Sequence, residues 1–385
     1  MMKGLYQGIL CLFLIGGSGV AMSLETVEEA RITLAQAALP EVLGQLAPQL
    51  DSLKNRLAGI VTKAELYEVV RDAGQGLWSS ARQQVAAGRT YDDRSLYWNR
   101  LKATHLLRNY ALDFDLTETQ RMQVIEEFEL ASRGYSDLIY SGSSDLQIFL
   151  TGFDPFHLDR RIAQSNPSGV AVLKLSGRTI EHGGLSAEIR GVTVPVRYTD
   201  FDDGEIEALL SPVYAEDVVD MLVTISMGRN QFDLERFPGR RRSSSALGNL
   251  NEHTGASGMQ PQIPLLEGRP LAGPEFVEFS LPAAAMIRAA GAYTVRDNRK
   301  VATLEGALSA ASLAELADHI AVRGSGGGYL SNEISYRSIR LRNELGSGIP
   351  TGHIHTPSIS EFSAEGLKPI VDQIEAMLAQ ALPEL

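Results

Sequence analysis

Over the first third of the chain, apolar residues recur every three or four positions, the spacing that lines one face of an α-helix. Segments of this kind run over Glu25 to Ala38, with a break at Pro40, then near Gln49–Ile60, Lys63–Ala87 and Ser95–Ala111. Leu96, Trp98, Leu101, Leu106 and Tyr110 mark the inner face of the last. Thr117 and Gln120 form a capping box ahead of Val124, Ile125 and Phe128, and Gly134 is a natural terminator. The pattern predicts an all-α unit over residues 24–140. Its Trp and Tyr residues are expected to fill its core, and nothing in it groups as a catalytic constellation.

The polar connector Ser141-Gly142-Ser143-Ser144-Asp145 ends that texture. Leu146–Leu150 is a short apolar run of buried-strand type, and further strand-like runs follow at Ala187–Val196 and Met221–Ile225. They alternate with helical patterns at Asp202–Leu210 and Ala283–Ala290, and Lys368–Leu382 closes the chain as a helix. Alternation of this kind predicts a layered α/β domain over 146–385 with a central, mostly parallel sheet. In such sheets ligands bind at the carboxyl ends of the strands. The helical unit is expected to be separable from it.

The 385 residues are 44% apolar and carry a formal charge of −12, a globular composition with the wrong sign for a phosphate-backbone or anionic-membrane binder. Arg240-Arg241-Arg242-Ser243-Ser244-Ser245 is the one basic run, and it reads as a solvated loop. Lys3, the apolar stretch Ile9–Ile15 and the small residues Gly19-Val20-Ala21 make 1–21 a signal peptide, predicting an exported, periplasmic or secreted protein that starts near Met22. Its cleavage would leave no membrane span. Cys11 is the only cysteine and lies inside that segment, so the mature chain would hold no disulfide, thiolate metal site or cysteine nucleophile.

Gly324-Ser325-Gly326-Gly327-Gly328-Tyr329-Leu330-Ser331-Asn332 describes a tight glycine loop opening into a helix, with Ser331 at its N-terminus. There it is either a simple cap or a nucleophile set beside unpaired helical amides. Thr151-Gly152-Phe153-Asp154-Pro155-Phe156 follows a strand, and Asn166-Pro167-Ser168 comes soon after. Phe153 and Phe156 are core residues or a stacking surface for a small flat ligand, with Asn166 able to bond an amide. Glu235 stands beside Arg236, which alone reads as a surface ion pair. His353 and His355 share one strand face. A metal there would want a third ligand that the sequence does not point to, and no cofactor is called for.

Taken in order, these segments resemble the pyroglutamyl peptidase I family. The match runs through Thr151–Phe156, Asn166–Ser168, Val194-Pro195, Gly228-Arg229, Glu235-Arg236, Gln260-Pro261, Gly273-Pro274, Leu281-Pro282, Gly327–Tyr336 and Ile354-His355-Thr356-Pro357. It covers roughly 146–360 and leaves the N-terminal helices without a counterpart. The resemblance implies a phosphorylase/hydrolase-like α/β fold and an omega peptidase that removes N-terminal pyroglutamate. The implied site has Ser331 where the family has its cysteine nucleophile, with His355 as base and Glu235 orienting it. Phe153, Phe156, Asn166, Tyr329 and Leu330 would contact a small peptide or lactam substrate. His157-Leu158 replaces the family's Gly-Gly, and with the serine this opens the alternative of an inactive, peptidase-like binding protein. Oligomeric assembly is left open.

Overall fold

The computed structural model describes residues 25–360 and 362–385. The segment 1–21, Cys11 and the expected start at Met22 lie outside the described residues. Six helices come first: α1 (Ile32–Ala38), α2 (Pro40–Gly44), α3 (Ala47–Leu57), α4 (Lys63–Ala86), α5 (Arg94–Asn109) and α6 (Glu118–Ser132). Thr62 caps α4 by accepting from the Glu65 amide, and Thr117 and Gln120 form the expected reciprocal box at α6. Pro40 opens α2 as its first residue, where its missing N–H costs nothing. The first expected helix is shorter, a 3₁₀ turn over Glu29–Arg31 leading into α1.

The second part begins with β1 (Leu146–Phe153), α7 (Pro167–Leu175), β2 (Thr179–His182), β3 (Leu185–Val194), α8 (Tyr198–Asp202), α9 (Glu205–Ala215), β4 (Met221–Met227) and β5 (Phe232–Glu235). Then come β6 (Leu265–Leu266), β7 (Arg269–Pro270), α10 (Ala283–Met286), β8 (Val295–Asn298), β9 (Lys300–Thr303), β10 (Gly306–Ser309) and β11 (Ala321–Arg323). The chain closes with α11 (Leu330–Leu345), β12 (Thr351–Thr356) and α12 (Ala364–Ala381). Seven strands form the central sheet in the order β2-β3-β1-β4-β12-β5-β8. β1 is parallel to β3 and β4, β12 to β4, and β5 to β8, while β2/β3 and β5/β12 are antiparallel. The layered, mostly parallel α/β class is therefore the observed one. The helix expected over Ala283–Ala290 is a single turn, that over Asp202–Leu210 is two helices, and β8 to β11 went unforeseen.

Alternation along the strands separates two cores. Ile148, Leu150, Met221, Val223, Leu234 and Ile354 face α7 and α12, whereas Phe149, Phe153, Val192, Val194 and Leu222 face α9 and α11. The first core does not stop at the connector. Leu53, Leu66, Leu77, Trp78 and Phe128 of the helical part belong to the same apolar cluster as the sheet residues. Burying that surface is favourable by about 25 cal/mol per Å², so the two parts stabilise each other. The helical part thus packs on the sheet through a shared apolar cluster.

The arginine run is corrected. Arg242 is 5% exposed and its guanidinium is shared between Glu333 and Asp202, while Arg240 and Arg241 both bond Glu275. A basic run reads as solvated because the sequence gives no hint of carboxylates arriving from α11 and from the α8 region.

Candidate functional site

The register of three neighbouring strands sets the centre of the site. Ile354 opposes Leu234 and His355 opposes Asp233 across the antiparallel pair, and His353 and His355 lie beside Thr224 and Ser226 of β4. Period-two alternation puts Asp233, Glu235, His353, His355, Thr224 and Ser226 on one sheet face. This is the face covered by α11.

Glu235 and His355, 120 residues apart in sequence, meet there. The Nδ1 of His355 lies 2.6 Å from Glu235 Oε1. An ionised carboxylate only accepts, so Nδ1 carries a hydrogen, and in the neutral ring Nε2 is the bare nitrogen. Among the described residues Nε2 has no hydrogen-bond partner. The second Glu235 oxygen accepts from Asn298 Nδ2 at 2.8 Å, and the same amide donates to the Ser325 carbonyl at 3.0 Å. Asn298 thereby ties the carboxylate to the glycine loop. Sequence reasoning missed it, since no local pattern links a residue of β8 to Glu235 of β5.

Behind His355 stands His353, fully buried, with Thr224 Oγ1 2.7 Å from Nδ1 and Ser226 Oγ 2.7 Å from Nε2. The Thr224 hydroxyl also donates to the Gly352 carbonyl at 3.3 Å. Its oxygen is then free to accept from Nδ1–H, and Ser226 donates to the bare Nε2. Burial, with the neighbouring His355 ring, pushes the His353 pKa well below the usual imidazole value. The two rings meet edge to face at 4.9 Å. Both nitrogens of His353 are occupied, so it does not serve as a metal ligand as it stands. Among the described residues no group of three potential ligands is placed to hold a metal ion.

Ser331 is the second residue of α11, half-buried, and its hydroxyl donates to the Gly326 carbonyl at 3.4 Å. Tyr329 precedes the helix without a side-chain cap. Among the described residues the amides of Leu330 and Ser331 donate to no acceptor, so the helix begins with unpaired N–H groups where its dipole is positive. The loop ahead of it is fixed from outside. The amides of Ser243 and Ser244 both donate to the Gly328 carbonyl, and Asn332 bonds both the N–H and the C=O of Gly239. A Cβ on Gly324 would sit 2.0 Å from Asn332 Oδ1, so this approach requires glycine. Asn332 adjoins Ser331 in the motif that drew attention to the serine, yet its role as a latch depends on a segment 93 residues away.

The remaining expected contacts divide. Phe156 is half-buried, with its ring 6.4 Å from that of Tyr329 and inclined 30° to it; Tyr329 in turn meets Tyr198 edge on at 5.6 Å. The Tyr329 hydroxyl donates to the Leu247 carbonyl. Phe153 and Leu330 are buried in the core under α11, Phe153 stacked on Phe201. Asn166 caps α7: its Oδ1 accepts from the Ser168 amide and hydroxyl, and its Nδ2 donates to the Asp154 carbonyl. Asn166 is buried and uses both ends of its amide to hold the loop against α7.

Residues 18–129 match the family described as PA0049 N-terminal domain, and residues 147–271 and 294–360 match that described as PA0049, C-terminal domain. The chain is 28% identical to the uncharacterized protein PA0049 of Pseudomonas aeruginosa, over 79% of its own length and 71% of the relative's. It is also similar to a mutant pyrrolidone carboxyl peptidase from the hyperthermophile Pyrococcus furiosus, at 19% identity and a TM-score of 0.43, covering 62% of this chain and 100% of that one. The same enzyme and its cysteine-free mutant give 17% identity, a TM-score of 0.42 and coverage of 62% and 99%.

Proposed function

The chain belongs to the PA0049 family, and we propose that it is an exported peptidase that hydrolyses the amide bond after an N-terminal pyroglutamyl residue. The observation that carries this reading is the Glu235–His355 pair, which Asn298 ties to the glycine loop that leads into α11 and Ser331. Ser331 turns its hydroxyl from the Gly326 carbonyl to the His355 Nε2 when substrate enters, as catalytic hydrogen bonds commonly form only in the complex. His355 takes the proton while Oγ attacks the pyroglutamyl carbonyl, and Glu235 remains ionised and holds the ring. The unpaired amides of Leu330 and Ser331 receive the developing oxyanion. His355 then gives its proton to the leaving amine, and water releases pyroglutamate from the serine ester. Phe156 and Tyr329 supply apolar surface for a lactam ring, which has no ammonium group to be matched by a carboxylate.

Acid quenching during turnover, followed by peptide mapping, tests the covalent step: a pyroglutamyl ester is expected on the peptide containing Ser331. The hydroxyl's bond to Gly326 favours a second reading, a binding protein of the same shape without turnover. In that case 5-oxoproline binds, no ester forms, and no amine is released.

A further inference from the structure

The helical half has no part in the chemistry above, yet its charged side chains grip one particular loop of the other half. Residues 154–166 join β1 to α7 and carry Phe156, whose ring stands beside Tyr329 at the start of α11. Asp154, 3% exposed, lies between two arginines of the helical half. Arg100 of α5 donates from Nη1 to Oδ1 at 2.9 Å, and Arg133, just past α6, donates to Oδ2 at 2.6 Å. Arg100 is itself fixed by the Ser132 hydroxyl and carbonyl. Along the same loop Arg31 bonds Asp159 and Arg94 donates to the Ala163 carbonyl. At its end Asp93 accepts from the Ser165 hydroxyl at 2.6 Å and from the Asn166 amide at 3.1 Å.

Five side chains from one half thus hold a single loop of the other at four separate points. Buried charged hydrogen bonds of this kind are costly to assemble and more costly to break. Polar contacts join the halves elsewhere too, as where Arg197 bonds Glu28 and Glu129, but those on this loop hold the segment that carries Phe156. Resting on the reading that the loop bounds the substrate pocket, we propose that the helical half is a clamp for the site. Arg100 and Arg133 are positioning residues that act through Asp154 to set Phe156 against Tyr329.

The test uses the full chain with Arg100→Gln, Arg133→Gln and Arg100→Lys, the last keeping the charge beside Asp154 while losing the guanidinium fork. Arg82→Gln is the control. It also joins the halves, through the Ser176 carbonyl, but at the other end of α7. Hydrogen exchange followed by mass spectrometry is read on peptides spanning 153–166. The clamp variants are expected to exchange at least tenfold faster there than the wild type, with the rest of the fold unchanged, whereas Arg82→Gln leaves this segment as it was. If a Gln variant does not fold, Arg100→Lys gives the same local signature. On a pyroglutamyl substrate the clamp variants should raise KM about tenfold with kcat within twofold. Unchanged exchange at 153–166 in folded clamp variants, or an equal rise across the whole chain in these and in Arg82→Gln, would overturn the proposal. The exchange measurement needs no substrate, so it decides the clamp even where the peptidase reading fails.

Discussion

Replacing Arg242 with alanine should cost far more stability than replacing its neighbour Arg241. The Arg242 guanidinium donates to both oxygens of Glu333 at 2.6 and 2.8 Å and to both oxygens of Asp202 at 2.9 Å, and it lies 4.7 Å over the Tyr198 ring. Glu333 is 3% exposed. Burial pushes its pKa up, but Arg242 and then Arg337 outweigh burial and hold the carboxyl below its ordinary range. Arg242→Ala leaves that buried carboxylate with Arg337 alone, bonded at 2.9 Å. Removing one partner of a buried pair costs about 3–5 kcal/mol. Arg241 faces Glu275, which keeps Arg240 and the Ala321 amide, so Arg241→Ala should cost less than about 1 kcal/mol. Guanidinium unfolding midpoints at constant m-value measure both. Because the folded-state pKa of Glu333 is depressed, its contribution is complete above the unfolded carboxylate pKa and disappears as pH falls through the folded value. The gap between the variants should therefore narrow in acid. Equal losses below about 1 kcal/mol for the two would refute the buried-pair account.

Three other perturbations follow from the geometry. His353 is neutral and buried, so between its unfolded pKa of about 6.5 and its depressed folded one, only the unfolded chain takes up the proton. Stability should fall as pH drops through that window, and His353→Phe should flatten the slope while orphaning Thr224 and Ser226 at a cost of roughly 1–3 kcal/mol each; an unchanged slope would contradict the assignment. Glu235→Gln keeps the size of the side chain but loses the charge that holds the Nδ1–H tautomer, and should lower kcat by roughly 10²–10⁴-fold with the fold intact by circular dichroism. Gly134 has φ +95°, and a Cβ there would lie 2.6 Å from Trp78 Cζ2, so Gly134→Ala should lose more than about 2 kcal/mol. Gly88→Ala, also at positive φ but in open space, should lose about 1 kcal/mol in the same denaturation assay.

What could be read in the sequence was whatever a local rule governs. The capping box at Thr117, the long helix after Thr62 and the buried strands Leu146–Phe153 and Met221–Met227 follow from spacing and side-chain chemistry within a dozen residues. The helix after the glycine loop was legible in the same way, which placed Ser331 in its first turn. Partnerships across the fold were not legible. Nothing near Arg242 announces Glu333, nothing near Glu235 announces Asn298, and nothing near Asp154 announces Arg100 and Arg133. Asn166 looked like a ligand-facing amide because sequence does not show that a cap and a loop carbonyl use both of its ends. The packing of the helical unit on the sheet was hidden for a related reason: a change of texture marks a boundary in secondary structure, whereas the apolar cluster that crosses it depends on which helix faces the sheet.

The central claim is that Ser331, His355 and Glu235 form a working hydrolytic centre. It is tested most directly by the rate of chromophore release from a pyroglutamyl-coupled reporter, measured on the native protein, Ser331→Ala and Ser331→Cys at one neutral pH. The account predicts turnover by the native protein, none by Ser331→Ala, and retained or raised turnover by Ser331→Cys, because a thiol is the better nucleophile near neutrality. Release by Ser331→Ala at the native rate, or no release by either the native protein or folded Ser331→Cys, would contradict it.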